Sequence, residues 1–160
     1  MGVGKSTVGS LLAERLGCPF RDTDDDIVAA RGRAVADIFA DEGEAAFRML
    51  EKAAVAAALE EHEGVLALGG GAVLDGGTRE LLAAHTVVHL SMGVEEAAGR
   101  AALDVSRPLL ADHSLDRWRA LAEERRPLYA EVASAVVATD GRTPAEVVQA
   151  VIDTLEWRPR

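Results

Sequence analysis

Two kinds of apolar pattern alternate along this chain. Short, nearly continuous apolar runs, typical of buried strands, occupy 65–68, 86–90 and 135–138, and a further short strand is predicted at 19–22. Between these runs, apolar residues recur at the three- and four-residue spacing of one helix face. The predicted helices cover 7–16, 34–39, 42–62, 78–84, 94–103, 115–132 and 144–157. Alternation of strand and helix predicts an α/β fold built from parallel βαβ units.

Prolines and glycines indicate where the predicted helices begin, end or break. Gly17 is placed to end the first helix in a left-handed conformation, and Pro144 suits the first turn of the last helix. Pro127 lies inside a predicted helix, so we expect a break there. Residues 104–114 carry no periodicity and predict an irregular loop. No repeat or linker divides the chain, and we expect one domain over residues 1–160.

Composition narrows the class of function. The 160 residues include 17 Lys plus Arg against 27 Asp plus Glu, a formal charge of −10, which argues against a nucleic-acid partner. No apolar run approaches the roughly 18 residues of a membrane span, no secretory signal opens the chain, and its single cysteine allows no internal disulfide. We therefore expect a cytoplasmic monomer with no membrane partner. Fifteen of the 17 cations are Arg, which still suits capture of an anion in one local pocket.

The first residues contain the second half of a phosphate-binding loop. The segment reads Gly2-Val3-Gly4-Lys5-Ser6-Thr7. Its glycines let backbone N–H groups point at phosphate, Lys5 supplies charge to the terminal phosphates, and Ser6 supplies a hydroxyl to Mg²⁺. The alternative is a glycine-rich tail before a helix cap. We favour the phosphate loop because a helix follows at once and acids follow the next predicted strand.

Those acids are Asp22 and Asp24, with Asp25 and Asp26 next. Along an extended segment, Asp22 and Asp24 would point the same way. One could hold metal-bound water while the other orients an acceptor hydroxyl, the division of work in a kinase. Asp25 and Asp26 could equally be a capping cluster for a helix from Asp25 onward.

An ordered set of motifs resembles the shikimate kinase family and covers essentially the whole chain. The set is Gly4-Lys5-Ser6-Thr7, Asp22-Thr23-Asp24, Phe39…Gly43-Glu44…Phe47-Arg48…Glu51, Gly69-Gly70-Gly71, Arg107-Pro108-Leu109-Leu110 and Arg125…Pro127…Tyr129. The resemblance implies a three-layer P-loop kinase fold with a parallel sheet in the order 2-3-1-4-5. It also implies transfer of the γ-phosphoryl group of ATP to the 3-hydroxyl of shikimate, with Mg²⁺, in the pathway to chorismate and the aromatic amino acids.

The resemblance also implies roles on the nucleotide side. Lys5 contacts the transferring phosphate, Ser6 ligates Mg²⁺, and Asp22 reaches Mg²⁺ through water. Arg107 belongs to a lid at about 102–114 that closes on the phosphates. Residues implied to contact ATP are Gly2, Val3, Gly4, Lys5, Ser6, Thr7, Arg100, Arg107 and Arg142.

Further roles are implied on the acceptor side, in a helical region at about 23–52 and beyond it. Asp24 binds the shikimate hydroxyl and acts as its base, and Gly70 offers a backbone contact. Arg48 and Arg125 grip the carboxylate. By charge alone Arg126 could replace Arg125, and the R-x-P-x-Y alignment selects Arg125. Glu51 lies three residues after Arg48 and can hold its guanidinium. From spacing alone, an exposed surface ion pair is the alternative for Arg48.

The chain departs from the family at its start, since a P-loop follows a central strand and none precedes Gly2. We expect a gap between the strands at 65–68 and 87–90, which would lie about 10 Å apart instead of about 4.8 Å. Unpaired groups facing such a gap would cost about 1–3 kcal/mol each if buried. On this ground we hypothesise that Met1 is internal to a longer protein.

Two other functions fit parts of the pattern. One is another small P-loop kinase, for gluconate or a nucleoside monophosphate. The other is an inactive, truncated nucleotide-binding or regulatory protein, a reading that rests only on the start of the chain.

Overall fold

The computed structural model describes residues 3–103 and 114–156, and side chains at 100–103 and 114–115 are not described. Gly2, the predicted lid arginine Arg107 and the side chain of Arg100 therefore lie outside the described residues. In the described part, strands and helices alternate as the apolar pattern predicts. The elements are α1 (Lys5–Leu16), β1 (Phe20–Asp22), α2 (Thr23–Arg31), α3 (Val35–Glu61), β2 (Val65–Ala67), a 3-10 turn (Ala72–Leu74), α4 (Gly76–Leu82), β3 (Val88–Ser91), α5 (Val94–Leu103), α6 (Ser114–Val132), β4 (Ala135–Ala138) and α7 (Pro144–Thr154).

Local sequence signals account for most helix ends. Gly17 ends α1 with φ +66°, and its N–H donates to carbonyls of the last turn. Thr143 and Glu146 form a capping box at the start of α7, with Pro144 in the first turn. Gly43 adopts φ +85° and ψ 170° inside α3, so α3 consists of two helical segments joined at a kink, as the two predicted helices require.

Two predictions about helices are wrong. α6 continues through Pro127, so the predicted break is absent. Contacts beyond Pro127 hold the last turn in place, because the Tyr129 hydroxyl donates to Gly70 O at 2.6 Å and Glu131 accepts from Arg79 at 3.0 Å. The second helix starts at Thr23 rather than Asp25, because the Asp22 carboxylate accepts from the Asp24 N–H and caps the helix earlier.

The four described strands form two parallel pairs. β1 pairs with β2, with Phe20 opposite Val65 and Asp22 opposite Ala67. β3 pairs with β4, with Val88 opposite Ala135 and Ser91 opposite Ala138. The predicted α/β class with parallel strands is confirmed, and the two pairs are separate sheets among the described residues.

A groove of about 1,240 Å³ lies between β2 and β3 and is lined by both strands and by residues of α1, α6 and α7. The predicted gap between these strands is therefore present in the described part of the chain. Val65 donates to Pro19 O, and Thr139 donates to Ser91 O, so these backbone groups face β1 and β4. Because backbone groups alternate in direction along a strand, those of Leu66, Val88 and Leu90 face the groove.

Apolar burial is divided among three clusters. One joins α1, α7 and the β3–β4 pair around Val8, Val137, Val147, Val148 and Val151. A second joins α2 and both segments of α3 around Ile27, Ile38 and Phe47. A third lies around Val73, Leu82 and Val132 beside α4 and α6. These clusters fix the helices that carry the candidate site at the carboxyl ends of the strands.

Candidate active site

The start of α1 presents an unneutralised positive end. Gly4 precedes the helix with φ +84°, a conformation that glycine adopts without strain, and it offers no side-chain cap. The first helical hydrogen bond runs from Val8 N–H to Gly4 O at 2.9 Å. Earlier N–H groups of the first turn therefore have no carbonyl of the helix to bind, and no acidic residue lies in that turn. Such a helix end attracts phosphate.

Lys5 and Ser6 meet both predicted acids at this helix end. The ammonium nitrogen of Lys5 lies 3.7 Å from Asp22 Oδ2 and 3.6 Å from Asp24 Oδ2. The Ser6 hydroxyl donates to Asp22 Oδ2 at 2.5 Å. The four residues predicted to act on the transferred phosphate and its acceptor thus form one cluster.

The two acids occupy different environments. Asp22 is buried at the end of β1 and caps α2. Asp24 lies in the first turn of α2, not on an extended segment as the sequence predicts, yet it still reaches Lys5. Burial raises the pKa of Asp24, and the charge of Lys5 opposes that rise. Asp24 is therefore a better proton acceptor than an exposed aspartate.

A small pocket of about 250 Å³ adjoins the phosphate loop. Its lining includes Val3, Gly4, Thr7 and Arg142. The Arg142 guanidinium is exposed at the end of β4 and donates to Ala138 O at 2.9 Å. The predicted ATP contacts Val3, Thr7 and Arg142 therefore share one surface with Gly4.

Arg48 is held by a buried carboxylate. Glu51 is 2% exposed and accepts from Arg48 Nη1 at 2.6 Å, so this pair is not the exposed surface ion pair that spacing alone suggests. Burial raises the pKa of Glu51, and Arg48 opposes the rise. The guanidinium also lies over the rings of Phe39 and Phe47, at 5.7 and 5.5 Å. These contacts leave little freedom for the arginine to move.

The Gly69–Gly71 turn closes against these side chains. A Cβ on Gly71 would overlap the Arg48 guanidinium, and one on Gly69 would overlap the Glu51 carboxylate. The turn is shaped by bonds from Ala72 N–H to Gly69 O and from Leu74 N–H to Gly71 O, both at 3.0 Å. Within residues 3–103 and 114–156, the N–H groups of Gly70 and Gly71 have no acceptor.

Arg125 and Arg126 differ as the alignment predicts. Arg125 is 8% exposed, and its charge acts on Glu51. Its Nε, like that of Arg48, is a buried donor with no partner in the described structure. The side chain of Arg126 is 71% exposed and pairs with Glu123 at 2.7 Å. A buried, unpartnered guanidinium calls for an anionic ligand, because a buried donor left unpaired costs free energy.

The arrangement offers two anion sites, with the Asp24 carboxylate between them. The helix end with Lys5 suits phosphate, and Arg48 with Arg125 suits a carboxylate. Ser6 and Asp22 place two oxygen ligands beside the phosphate site, which fits Mg²⁺ bound by few protein groups.

No cluster of three or more His, Cys, Asp or Glu side chains suited to a metal is found where side chains are described. No described helix is long and apolar enough to cross a membrane.

Sequence reasoning missed two features of this site. Gly71 had no individual role, and its contact with Arg48 appears only in three dimensions. Tyr129 was part of a motif, but its hydroxyl bond to Gly70 was not foreseen. The available signal was its position one helical turn after Arg125.

Comparisons with known proteins agree with this geometry. The shikimate kinase family matches residues 1–156. A shikimate kinase of Streptomyces avermitilis is 67% identical over 158 residues, 99% of this chain and 92% of that protein. One of Streptomyces coelicolor is 68% identical with the same coverage. The structure of shikimate kinase from Acinetobacter baumannii in complex with shikimate is similar with a TM-score of 0.90 and 36% identity, over 98% of this chain and 88% of that one.

Proposed function

This chain belongs to the shikimate kinase family, and from that membership we propose that it transfers the γ-phosphoryl group of ATP to the 3-hydroxyl of shikimate. The products are shikimate 3-phosphate and ADP, in the pathway to chorismate and the aromatic amino acids. ATP is the co-substrate of this kinase family. The acceptor hydroxyl oxygen forms a bond to the γ-phosphorus as the bond from that phosphorus to the bridging oxygen of ADP breaks.

The contact of Lys5 with both acids is the observation that carries the proposal. One ammonium group lies within 4 Å of Asp22 and of Asp24, so the phosphate loop and the acceptor carboxylate meet at one point. Phosphoryl transfer depends on such positioning and on stabilising charge at the transferred group. Lys5 contributes the charge, and the N–H groups that begin α1 cradle the phosphates.

On the acceptor side, Asp24 orients the 3-hydroxyl and receives its proton. Its raised pKa supports that role, because a stronger base accepts the proton more readily. Arg48 and Arg125 bind the carboxylate of shikimate, and Gly70 offers its free N–H to the substrate. Glu51 holds Arg48 in position.

On the nucleotide side, Gly2, Val3, Gly4, Lys5, Ser6 and Thr7 contact ATP. Ser6, and Asp22 through water, would hold Mg²⁺, which would supply positive charge to the phosphate oxygens. Arg142 flanks the adenine, supported by its place on the pocket beside Gly4. Arg100 and the lid residue Arg107 take the adenine-flanking and phosphate-closing roles implied by the family. We also propose a single domain, a monomer and a cytoplasmic location.

The test is an acceptor panel. ADP formation should depend on shikimate and remain at background with gluconate or nucleoside monophosphates, and the product should gain the mass of one phosphate group. Turnover with another acceptor but not shikimate would reject the assignment. ATP binding in calorimetry without turnover of any acceptor would favour an inactive nucleotide-binding protein, and failure to bind ATP would favour a regulatory one.

A further inference from the structure

Tyr129 connects helix α6 to the Gly69–Gly71 turn. Its hydroxyl donates to Gly70 O at 2.6 Å, although residues 70 and 129 are far apart in the chain. Its ring stacks on His89 of β3, with 4.5 Å between ring centres and 24° between planes. The ring is also packed on the cluster around Val73 and Leu82. The hydroxyl is therefore held in place by contacts on more than one element.

The bond to Gly70 orients a peptide plane. No peptide in the described structure is cis, so the C=O of Gly70 and the N–H of Gly71 point in opposite directions. With the C=O held by Tyr129, the N–H of Gly71 points away from that hydroxyl. The Cα of the same glycine lies against the Arg48 guanidinium.

Nothing else in the described structure holds this peptide. The flanking turn bonds use Gly69 O and Gly71 O, and the N–H groups of Gly70 and Gly71 have no acceptor. Glycine has wide conformational freedom, so a turn of three glycines would otherwise sample several peptide orientations. The Tyr129 hydroxyl therefore fixes the direction of the free N–H of Gly71, whereas the N–H of Gly70 belongs to the preceding peptide, whose C=O accepts from Ala72.

Tyr129 and Arg125 lie on the same face of α6. They lie four residues apart on α6 and so face the same side of the helix. The hydroxyl bond fixes α6 against the glycine turn at the level of Arg125, whose buried Nε is unpartnered. Helix α6 thus carries both Arg125, which faces the substrate site, and Tyr129, which holds the backbone of the Gly69–Gly71 turn beside it.

We propose that Tyr129 is a positioning residue for the acceptor: its hydroxyl, bound to Gly70 O, presets the N–H group of Gly71 as a hydrogen-bond donor to shikimate. The inference rests on the proposed function, since the ligand of this donor is the acceptor substrate. Tyr129 acts through the turn and does not contact the reacting atoms.

The test is Tyr129→Phe, which removes the hydroxyl and keeps the ring stack. We expect the shikimate KM to rise about three- to tenfold, the range that one lost hydrogen bond produces. The ATP KM, kcat and Tm should stay near those of the parent chain. Ser134→Ala is the matched control, because it also removes a hydroxyl, one that accepts from Val87 N–H at 3.1 Å at the other end of the strands.

The outcomes separate the two proposals. An unchanged shikimate KM in an active Tyr129→Phe enzyme overturns the positioning role and leaves the proposed function standing. A rise in both KM values with a fall in Tm overturns it too, because that pattern reports general loosening. If the parent chain neither binds nor phosphorylates shikimate, both proposals fail together.

Discussion

At the scale of single residues, Asp24 combines burial with a cationic neighbour. Burial raises its pKa, whereas Lys5, 3.6 Å away, favours the charged form. The carboxylate is therefore more basic than that of an exposed aspartate. Asp25, the next residue, is exposed and has no hydrogen bond or ion pair in the described structure. These neighbours form a natural pair for comparison.

We predict that Asp24→Asn lowers kcat by about 10²- to 10⁴-fold, the usual contribution of a general base, with ATP affinity nearly unchanged. Asp25→Asn should leave both parameters near their parent values.

In the parent enzyme, kcat should fall as pH decreases through the raised pKa of Asp24, because protonation removes the base. Steady-state kinetics across pH measure this, and an Asp24→Asn enzyme with near-parent turnover would remove Asp24 from the base role.

Arg125 and Arg126 provide a second pair of neighbours. We predict that Arg125→Lys raises the shikimate KM about ten- to hundredfold, because lysine keeps the charge but cannot form a two-pronged bond to a carboxylate. Arg126→Lys alters only an exposed pair with Glu123 and should have little effect. The ATP KM should be unchanged in both. Equal effects of the two substitutions would mean that Arg125 is not the carboxylate ligand.

At the scale of elements, the kink in α3 places Phe47 and Arg48 against the first segment of the helix. Gly43 has φ +85° and ψ 170°, a combination that is almost confined to glycine. It separates the segment carrying Ile38 and Phe39 from the segment carrying Phe47 and Arg48, and the two segments fold onto one another around Ile27. Apart from the chain neighbours and the adjoining helix backbone, no atom of the described residues lies within 4 Å of a Cβ built on Gly43, so only the backbone conformation demands glycine here.

We predict that Gly43→Ala lowers the free energy of unfolding by about 1–3 kcal/mol, the cost of such backbone strain. Gly99 is the control, because it lies within helix α5 and a Cβ there also meets no described atom outside its own helix backbone within 4 Å. Gly99→Ala should raise stability by about 0.5–1 kcal/mol, since alanine favours the helix. Urea unfolding followed by circular dichroism measures both, and a stabilising Gly43→Ala would contradict the strain at the kink.

Local signals explain which elements could be predicted. Gly17, Pro144 and the apolar strands act on their own neighbours, so their elements were identifiable from sequence. The sequence does not decide where α2 starts, because Asp22, Asp24 and Asp25 are all suitable caps and only the folded backbone selects Asp22. Pro127 was misread because contacts distant in sequence hold the turn after it. The burial of Glu51 and the close approach of Arg48 to Gly71 likewise depend on tertiary packing, which the sequence pattern does not reveal.

At the scale of the whole molecule, the groove separates two pairs of strands. The backbone groups of Leu66, Val88 and Leu90 face it. Val65 and Leu66 of β2 and all of β3 are only half-buried, although helices flank them. The free edges could pair with one further parallel strand, whose carboxyl end would meet the phosphate loop at Gly4.

We predict that extending the chain before Met1 with an apolar, strand-forming segment raises the free energy of unfolding by at least about 2 kcal/mol. Several new hydrogen bonds would form, each contributing about 0.5–1.5 kcal/mol. An extension of equal length rich in glycine and serine is the control and should add little. Equal stability of the two extended chains in urea would show that the groove does not take a strand.

The three apolar clusters share no buried residue, and this has a consequence for evolution. The cluster around Val8 and Val147 supports α1, the helix that we propose receives ATP, whereas Ile27, Ile38 and Phe47 support the helices that carry Asp24 and Arg48. Mutations can therefore accumulate under the acceptor end without disturbing the nucleotide end. A descendant of this protein could change the molecule it phosphorylates while inheriting its phosphate donor intact.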